Sequence, residues 1–290
     1  MSTDREAFDR LLGDLRPKLH RYCARMTGSV IDGEDVMQDA LIKAIEAFDA
    51  TVTNPEAWLF RIAHNAALDH LRQRARQQSR HADEDPDMTI DPVTPAEDRL
   101  AAAASLRTFM RLPVAQRSSV ILMDVLGYSL DEIGGVTGAT IAGVKAALHR
   151  GRTRLRALAQ EGDDAPVPVL AASERALLAA YVDRFNARDF DAVRDMLADE
   201  VRLELVNKSR LAGRSDVSRY FTNYSKMDDW HLAPGFVDLH PALLVRNPAD
   251  PSGRPAYFVL LGWSGERVMT IRDFRHARYA VADAEVVALT

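Results

Sequence analysis

At 290 residues, with 47% hydrophobic and 27% charged side chains, the chain has material for about two globular domains. A formal net charge of −5 argues against a uniformly basic nucleic-acid binder, and the single cysteine, Cys23, excludes an intramolecular disulfide or a cysteine-based metal cluster. The opening MSTDREAFDRLL has no signal-peptide pattern and no apolar run reaches the ~18–20 residues that span a bilayer, so a cytoplasmic protein with no membrane contact is expected.

The charge is segregated along the chain. Residues 70–80 hold four arginines and no acid, residues 145–156 hold five cations and no acid, and residues 82–98 hold seven acids and no Lys or Arg. Two basic surfaces joined by an acidic connector suit local phosphate contacts placed by shape. In chain order, the first amphipathic stretch is 34–48. Val36, Ala40, Leu41, Ala44, Ile45 and Phe48 recur on one face, with Asp35, Gln38, Asp39 and Glu46 largely on the other. Asn54-Pro55 then reads as a helix start, a capping side chain followed by proline in the first turn. Trp58, Leu59, Ile62, Ala63 and Ala66 make its apolar stripe, and the same helix runs on into RQRARQQSR. Residues 82–94, acidic and broken by prolines, read as a linker.

A second helical unit covers about 96–159, with Pro113 opening one of its helices. Ser129 and Glu132 form a capping-box pattern that starts a short helix, and Thr137-Gly138 ends it. Thr140 caps the next helix, which is expected to turn Ile141, Val144, Leu148 and Leu155 inward and Lys145, Arg150, Arg152, Arg154 and Arg156 outward. Ala147 is read as a groove-facing position that lacks a cation. Gly134-Gly135 should weaken the first helix by up to ~1 kcal/mol per glycine. A cationic helix held by another across a short turn can lie in a DNA major groove.

After a second linker the character changes. Ser173 is expected to cap a helix carrying Leu177, Leu178, Tyr181, Val182 and Phe185, followed by one through Val193, Met196 and Leu197. Then come strand-like runs, VRLELV, ALLVR, AYFVLLGW and RVMTIRDFRHARYAV, with turns at 250–254 and Ser264-Gly265. Helices first and strands afterwards indicate an α+β domain.

Three stretches together resemble the sigma-70 family of transcription initiation factors, in its two-domain extracytoplasmic-function class. DGEDVMQDALIKAIEAF resembles the segment of sigma region 2 that grips the polymerase clamp helices. NPEAWLFRIAHNAALDHLRQRAR resembles the promoter-opening helix, and LPVAQRSSVILMDVLGYSLDEIGGVTGATIAGVKAALHRGRTRLR resembles region 4. The C-terminal stretches SERALLAAYVDRFNARDFDAVRDMLADEVRLEL, AGRSDVSRYF and YFVLLGWSGERVMTIRDF resemble a SnoaL-like cone domain. The resemblance implies a multidomain chain of two all-α sigma domains and one α+β domain: region 2 at 1–81, an acidic linker at 82–98, the region 4 helix-turn-helix at 99–160, a linker at 161–170 and the SnoaL-like domain at 171–290.

It also implies partners and surfaces. Polymerase core, through its clamp helices and flap, would meet Asp35, Gln38 and Asp39. Downstream promoter DNA would meet Asn54, Asn65, Asp69, Arg72, Arg74 and Arg76, with the loop before that helix resembling a pocket for a flipped base. Upstream promoter DNA would meet Thr140, Ala142, Gly143, Lys145, His149, Arg150, Arg152 and Arg154. No cofactor, metal or catalysis is implied, and a small-molecule or protein regulator would act through the C-terminal domain. A pocket there would draw on Trp230, His231, Asp238, Tyr257 and Trp263, with His240 and His276 nearby. Two other readings stay open: a stand-alone helix-turn-helix regulator with a ligand-binding domain, and a SnoaL-like isomerase fused to a DNA-binding module and using an Asp or His acid-base pair.

Overall fold

The computed structural model describes residues 2–49, 51–78, 100–161 and 168–289; the expected connector at 82–98 and most of that at 161–170 lie outside them. The chain divides into two compact units, Met1–Asp164 and Ala165–Thr290.

In the first unit, α1 (Ser2–Thr27), α2 (Val30–Ala47) and α3 (Pro55–Gln78) pack around Leu19, Tyr22, Met26, Val36, Met37, Ala44, Phe60, Ala63 and Ala67. The turn between α1 and α2 is made by Gly28 at φ +83°, a conformation glycine adopts without strain. Ser29 Oγ then accepts from the Ile31 and Asp32 amides, so α2 begins at Val30, ahead of the stretch that apolar spacing marks. A Cβ at Gly33 would lie 2.6 Å from the Ala24 backbone, so α1 and α2 touch main chain to main chain there. Trp58, half-buried, packs beside Phe8 and Phe48 at the edge of the bundle core.

The helix-turn-helix follows as α4 (Leu106–Met110), α5 (Val114–Val120) running into a π turn (Ile121–Val125), α6 (Leu130–Thr137) and α7 (Ile141–Gln160). The Ser129–Glu132 capping box forms in both directions, and Gly138 at φ +75° closes α6 with its amide on the Gly134 carbonyl at 2.8 Å. With both ends capped and Ile133 and Val136 buried, Gly134-Gly135 does not interrupt the helix. Thr140 Oγ1 caps α7 by accepting from the Gly143 amide at 3.1 Å.

The second unit sets α8 (Ala172–Asn186), α9 (Phe190–Asp195) and α10 (Arg214–Tyr224) against a seven-stranded mixed sheet. The strands are β1 (Leu197–Leu205), β2 (Ser209–Ala212), β3 (His231–Val237), β4 (His240–Arg246), β5 (Pro255–Ser264), β6 (Arg267–Asp273) and β7 (Val286–Ala288). Their order is β2-β1-β6-β5-β4-β3-β7, with β1 and β6 parallel and the other neighbours antiparallel. This is the α+β architecture expected of a SnoaL-like domain. Three details correct the sequence reading. Glu174 caps the Ala171 amide, so Ser173 sits inside α8 instead of starting it. β3 escapes the strand pattern because Pro234-Gly235 occupies its middle, where β4 and β7 supply the pairing. The last apolar run stops as a strand at Asp273 and continues as two 3₁₀ turns, Phe274–His276 and Arg278–Ala282. Among the described residues, no helix is long and apolar enough to cross a membrane.

Candidate nucleic-acid interface

Helix α7 presents Ala142, Gly143, Lys145 and Arg154 to solvent, with His149 and Arg150 half-buried. Thr140 is exposed but engaged as the cap. Arg152 departs from the expected row of phosphate contacts. It is 7% exposed and grips Asp124 of the π turn with its Nε at 2.9 Å from Oδ2 and its Nη2 on Oδ1. It is a structural cation, and its place about three turns along α7 puts it on the packed side with Leu148 and Leu155. Two further assignments reverse. Ile141 is 41% exposed at the start of α7, on the side expected to read DNA, and Ala147 is buried and therefore unavailable to a groove.

On α3, Asn65, Asp69, Arg72, Arg74 and Arg76 are all exposed. Asn54 Oδ1 accepts from the Ala57 amide at 3.0 Å, which makes it the helix cap the sequence suggests and fixes the end of the preceding loop. Arg72 pairs with Asp69 at 3.1 Å, and Arg74 reaches back to Asp32 on α2 at 3.1 Å. These exposed pairs hold the cations in place more than they stabilise the fold. Beneath them His64 is buried, with Nδ1 2.7 Å from the Tyr22 hydroxyl, and burial pushes its pKa down to about 4. The imidazole is thus neutral, and Tyr22, whose own ionisation burial suppresses, donates to it.

The acidic face of α2 is built in two layers. Asp35 and Asp39, one turn apart, are exposed. Gln38 is half-buried and donates to Glu34 Oε1 at 3.1 Å, while Glu34 is fully buried 3.6 Å from Arg16.

The helix-turn-helix packs directly on the three-helix bundle. Glu56 of α3 accepts from Lys18 Nζ at 2.7 Å and from the Tyr128 hydroxyl at 2.6 Å. Lys18 Nζ also lies over the Tyr128 ring at 4.2 Å, and that ring meets Phe60. Burial works against the Glu56 carboxylate, but the hydrogen bonds from Lys18 and Tyr128 outweigh it and hold the pKa below the ordinary value. Arg117 of α5 donates through Nη1 to the Met26 carbonyl at the end of α1 at 2.6 Å, and through Nη2 to the Met110 and Leu112 carbonyls. Between α3 and α7 a cavity of about 730 Å³ remains, lined by Leu68, Leu71 and Arg72 on one side and by Gly143, Ala147 and Arg150 on the other.

In the second unit the five residues expected to line a pocket do not converge. His231 is exposed, and Trp263 packs edge-on to Tyr181. Asp238, at φ +47°, forms with Leu239 the two-residue turn joining β3 to β4 and accepts from the Glu285 amide. Trp230 donates to the Tyr224 carbonyl, and only it and Tyr257 border a polar centre, one whose other members sequence reading missed. Asp273, fully buried, accepts from Tyr220 and Tyr224 hydroxyls at 2.7 and 2.8 Å and from the Arg275 amide at 2.8 Å. Arg275 donates to Tyr257 and pairs with Asp229 at two points. Tyr257 therefore passes its own proton toward Tyr224, 3.0 Å away, which donates to Asp273. Burial raises the Asp273 pKa, and the hydroxyl and amide donors oppose that rise. The i, i+4 spacing of Tyr220 and Tyr224 on α10 was the available signal.

Comparison with known proteins agrees with this layout. Residues 11–77 match the model for Sigma-70 region 2, and residues 106–155 match that for Sigma-70, region 4. The chain is 36% identical over 164 residues to the ECF RNA polymerase sigma factor SigM of Mycobacterium tuberculosis, covering 53% of this chain and 78% of that protein. Among solved structures, the extracytoplasmic-function sigma factor SigJ of Mycobacterium tuberculosis superposes at a TM-score of 0.37 with 20% identity, over 90% of this chain and 93% of that one. A SnoaL-like protein of unknown function from Burkholderia thailandensis superposes at 0.30 with 21% identity, over 37% of this chain and 96% of that one. Neither superposition is close, and the assignment rests on the sequence matches. Regions 2 and 4 in one chain are not the pattern of a stand-alone helix-turn-helix regulator.

Proposed function

The chain belongs to the extracytoplasmic-function class of RNA polymerase sigma factors, and from that premise we propose how its surfaces divide the work of bringing polymerase core to promoters and starting transcription there. Asp35, Gln38 and Asp39 meet a basic surface of the polymerase clamp. The exposed carboxylates supply charge, and the Glu34–Gln38 contact beneath fixes their spacing. Asn65, Asp69, Arg72, Arg74 and Arg76 follow the downstream element, the cations on phosphate and Asn65 within reach of an unpaired base. The loop ending at Asn54 receives an extruded base. Upstream, Ala142, Gly143 and Lys145 enter the major groove, and His149, Arg150 and Arg154 hold its phosphates.

The observation that carries this reading is the segregation of charge, carboxylates outward on α2 and exposed cations along α3 and at Lys145 and Arg154 of α7. The protein makes and breaks no bonds itself and works in the cytoplasm, where polymerase and promoters are. Its SnoaL-like unit modulates that activity, and the saturated polar centre around Asp273 supports a structural rather than catalytic carboxylate. The test is transcription from genomic DNA with polymerase core, using the full chain and a chain ending at Gln160. Discrete start sites that disappear without the protein are expected. Their absence with both chains overturns the proposal.

A further inference from the structure

The cavity between α3 and α7 is walled by one face of each helix. On α3 the wall is Leu68, Leu71 and Ala75, at the three- and four-residue spacing of a single face, and on α7 it is Gly143, Ala147 and Arg150 at the same spacing. Leu68 and Leu71 are only half-buried, and Val114 at the start of α5 is exposed. Small residues, Ala75, Ala115, Ala139 and Gly143, leave the space open. Its volume of about 730 Å³ falls in the range of small-molecule pockets, roughly 300–1,000 Å³. Its charge is one-sided. Arg72, Arg117 and Arg150 are among the lining residues and no carboxylate is. Arg72 shares its charge with Asp69, which lies outside the lining. Arg117 is buried; its two Nη atoms are spent on the carbonyls of Met26, Met110 and Leu112, and its Nε has no hydrogen-bond partner. Carbonyls satisfy N–H groups but carry no net charge, so burial still pushes its pKa down, to about 10. A buried cation without a counter-charge is costly, and an anion brought beside it offsets that cost.

We propose that this cavity binds a free aliphatic monoanion, a fatty-acid-like carboxylate whose chain lies on Leu68, Leu71 and Val114 and whose head meets Arg72 and Arg150. The lining argues against other ligand classes. Apart from the neutral His64 imidazole it contains no ring, so a nucleotide base or an aromatic acid finds no stacking platform. A cationic ligand meets like charge. The hydroxyls of Ser118, Ser119 and Thr137 already donate to the Ala115 and Ile133 carbonyls, so a sugar finds few donors for its oxygens. What remains is aliphatic surface beside positive charge, and an amphiphile with one acidic head satisfies both. An occupant also covers Arg72 and Arg150, which promoter phosphates would otherwise hold, so the loaded protein should take up DNA less readily. That consequence rests on the sigma-factor reading; the binding itself does not.

The experiment is isothermal titration calorimetry of the full chain, without polymerase or DNA, using dodecanoate below its micelle concentration. One molecule should bind per chain, and affinity should fall about fourfold for each methylene removed in the series down to octanoate. Dodecanol should bind the wild-type chain at least about tenfold more weakly, and dodecanoate should bind Arg150→Gln more weakly by a similar factor, since each change removes a charge-assisted contact. Ala75→Phe and Ala115→Phe put a ring into the cavity from exposed helix positions. Both should abolish binding while far-UV circular dichroism and the melting temperature stay at wild-type values, and their places on different helices keep the test valid if one variant fails to fold. Absence of dodecanoate binding, equal affinity for dodecanol, or folded cavity-filling variants that bind like the wild type each overturns the site. Binding to phosphatidylglycerol vesicles with none to monomeric dodecanoate overturns it as well. A failed sigma-factor reading would show instead as missing transcription starts, with dodecanoate binding intact.

Discussion

Arg152 and Asp124 form a two-point ion pair inside the helix-turn-helix, the two residues 7% and 8% exposed. The pair ties the middle of α7 to the π turn that precedes α6, and so sets the angle at which the recognition helix leaves its support. Removing one partner strands the other as a buried charge. Arg152→Ala should therefore destabilise the first unit by about 3–5 kcal/mol in urea unfolding. Replacing both residues by apolar ones of similar size should recover most of that. A loss of stability under about 1 kcal/mol would return Arg152 to the phosphate-contact set.

Arg154 and Arg150 behave differently. Arg154→Ala should leave stability within about 0.5 kcal/mol, as surface substitutions do. Each of the two substitutions should weaken binding of the polymerase-bound protein to its promoters and make the salt dependence shallower by about one unit of log–log slope per lost phosphate contact. Binding measured across a salt series separates this from a specificity effect, which would shift affinity without changing the slope.

For the acidic face, Asp39→Ala should lower affinity for polymerase core, measured by competition against the wild-type chain, with the melting temperature unchanged. Glu34→Ala should lower both, because that carboxyl is buried beside Arg16 and braces Gln38. Unchanged core affinity in Asp39→Ala removes this face from the interface.

His64 gives a pH signature. Its pKa falls from 6.5 free to about 4 in the fold because burial disfavours the imidazolium. The unfolded chain therefore binds the proton more readily. The stabilising contribution is complete above pH ~6.5 and is lost as pH falls toward 4, by up to about 3 kcal/mol. In His64→Gln, whose amide oxygen can still accept from Tyr22, the difference in unfolding free energy between the two pH values should shrink by about that amount. An unchanged pH slope would mean that the imidazole is solvated in the native state.

In the second unit, Asp273→Leu should cost about 3 kcal/mol or more, since Tyr220, Tyr224 and the Arg275 amide would lose their acceptor together. Asp273→Asn should cost much less. Chemical unfolding of the full chain, followed by the fluorescence of Trp230 and Trp263, reads this unit selectively from Trp58 when each tryptophan is replaced in turn.

The local signals were legible where one residue type decides the outcome. Ser129 with Glu132, Gly138, Thr140 and Asn54 each act as their chemistry suggests, because a cap is settled within four residues of chain. What escaped was set by neighbours distant in sequence. Arg152 looks like its fellow cations until Asp124, 28 residues earlier, is seen beside it. Ile141 follows the apolar period but falls in the first turn of α7, ahead of the point where the packing begins. The polar centre at Asp273 joins residues from α10, β5 and the segment after β6, so no window of sequence contains it. Trp230, His231, Asp238 and Trp263 were selected by residue type, and type alone does not say which way a strand or a turn points its side chains.

The missing side chain at Gly33 has an effect beyond its own helix pair. Main-chain contact with Ala24 sets how steeply α2 crosses α1, and the outward carboxylates lie within about two turns further along. Even alanine there would act as a shim, tilting Asp35 and Asp39 together and spoiling their aim at a partner without altering either residue. Alignment of the docking edge is thus governed by a position that never touches what docks.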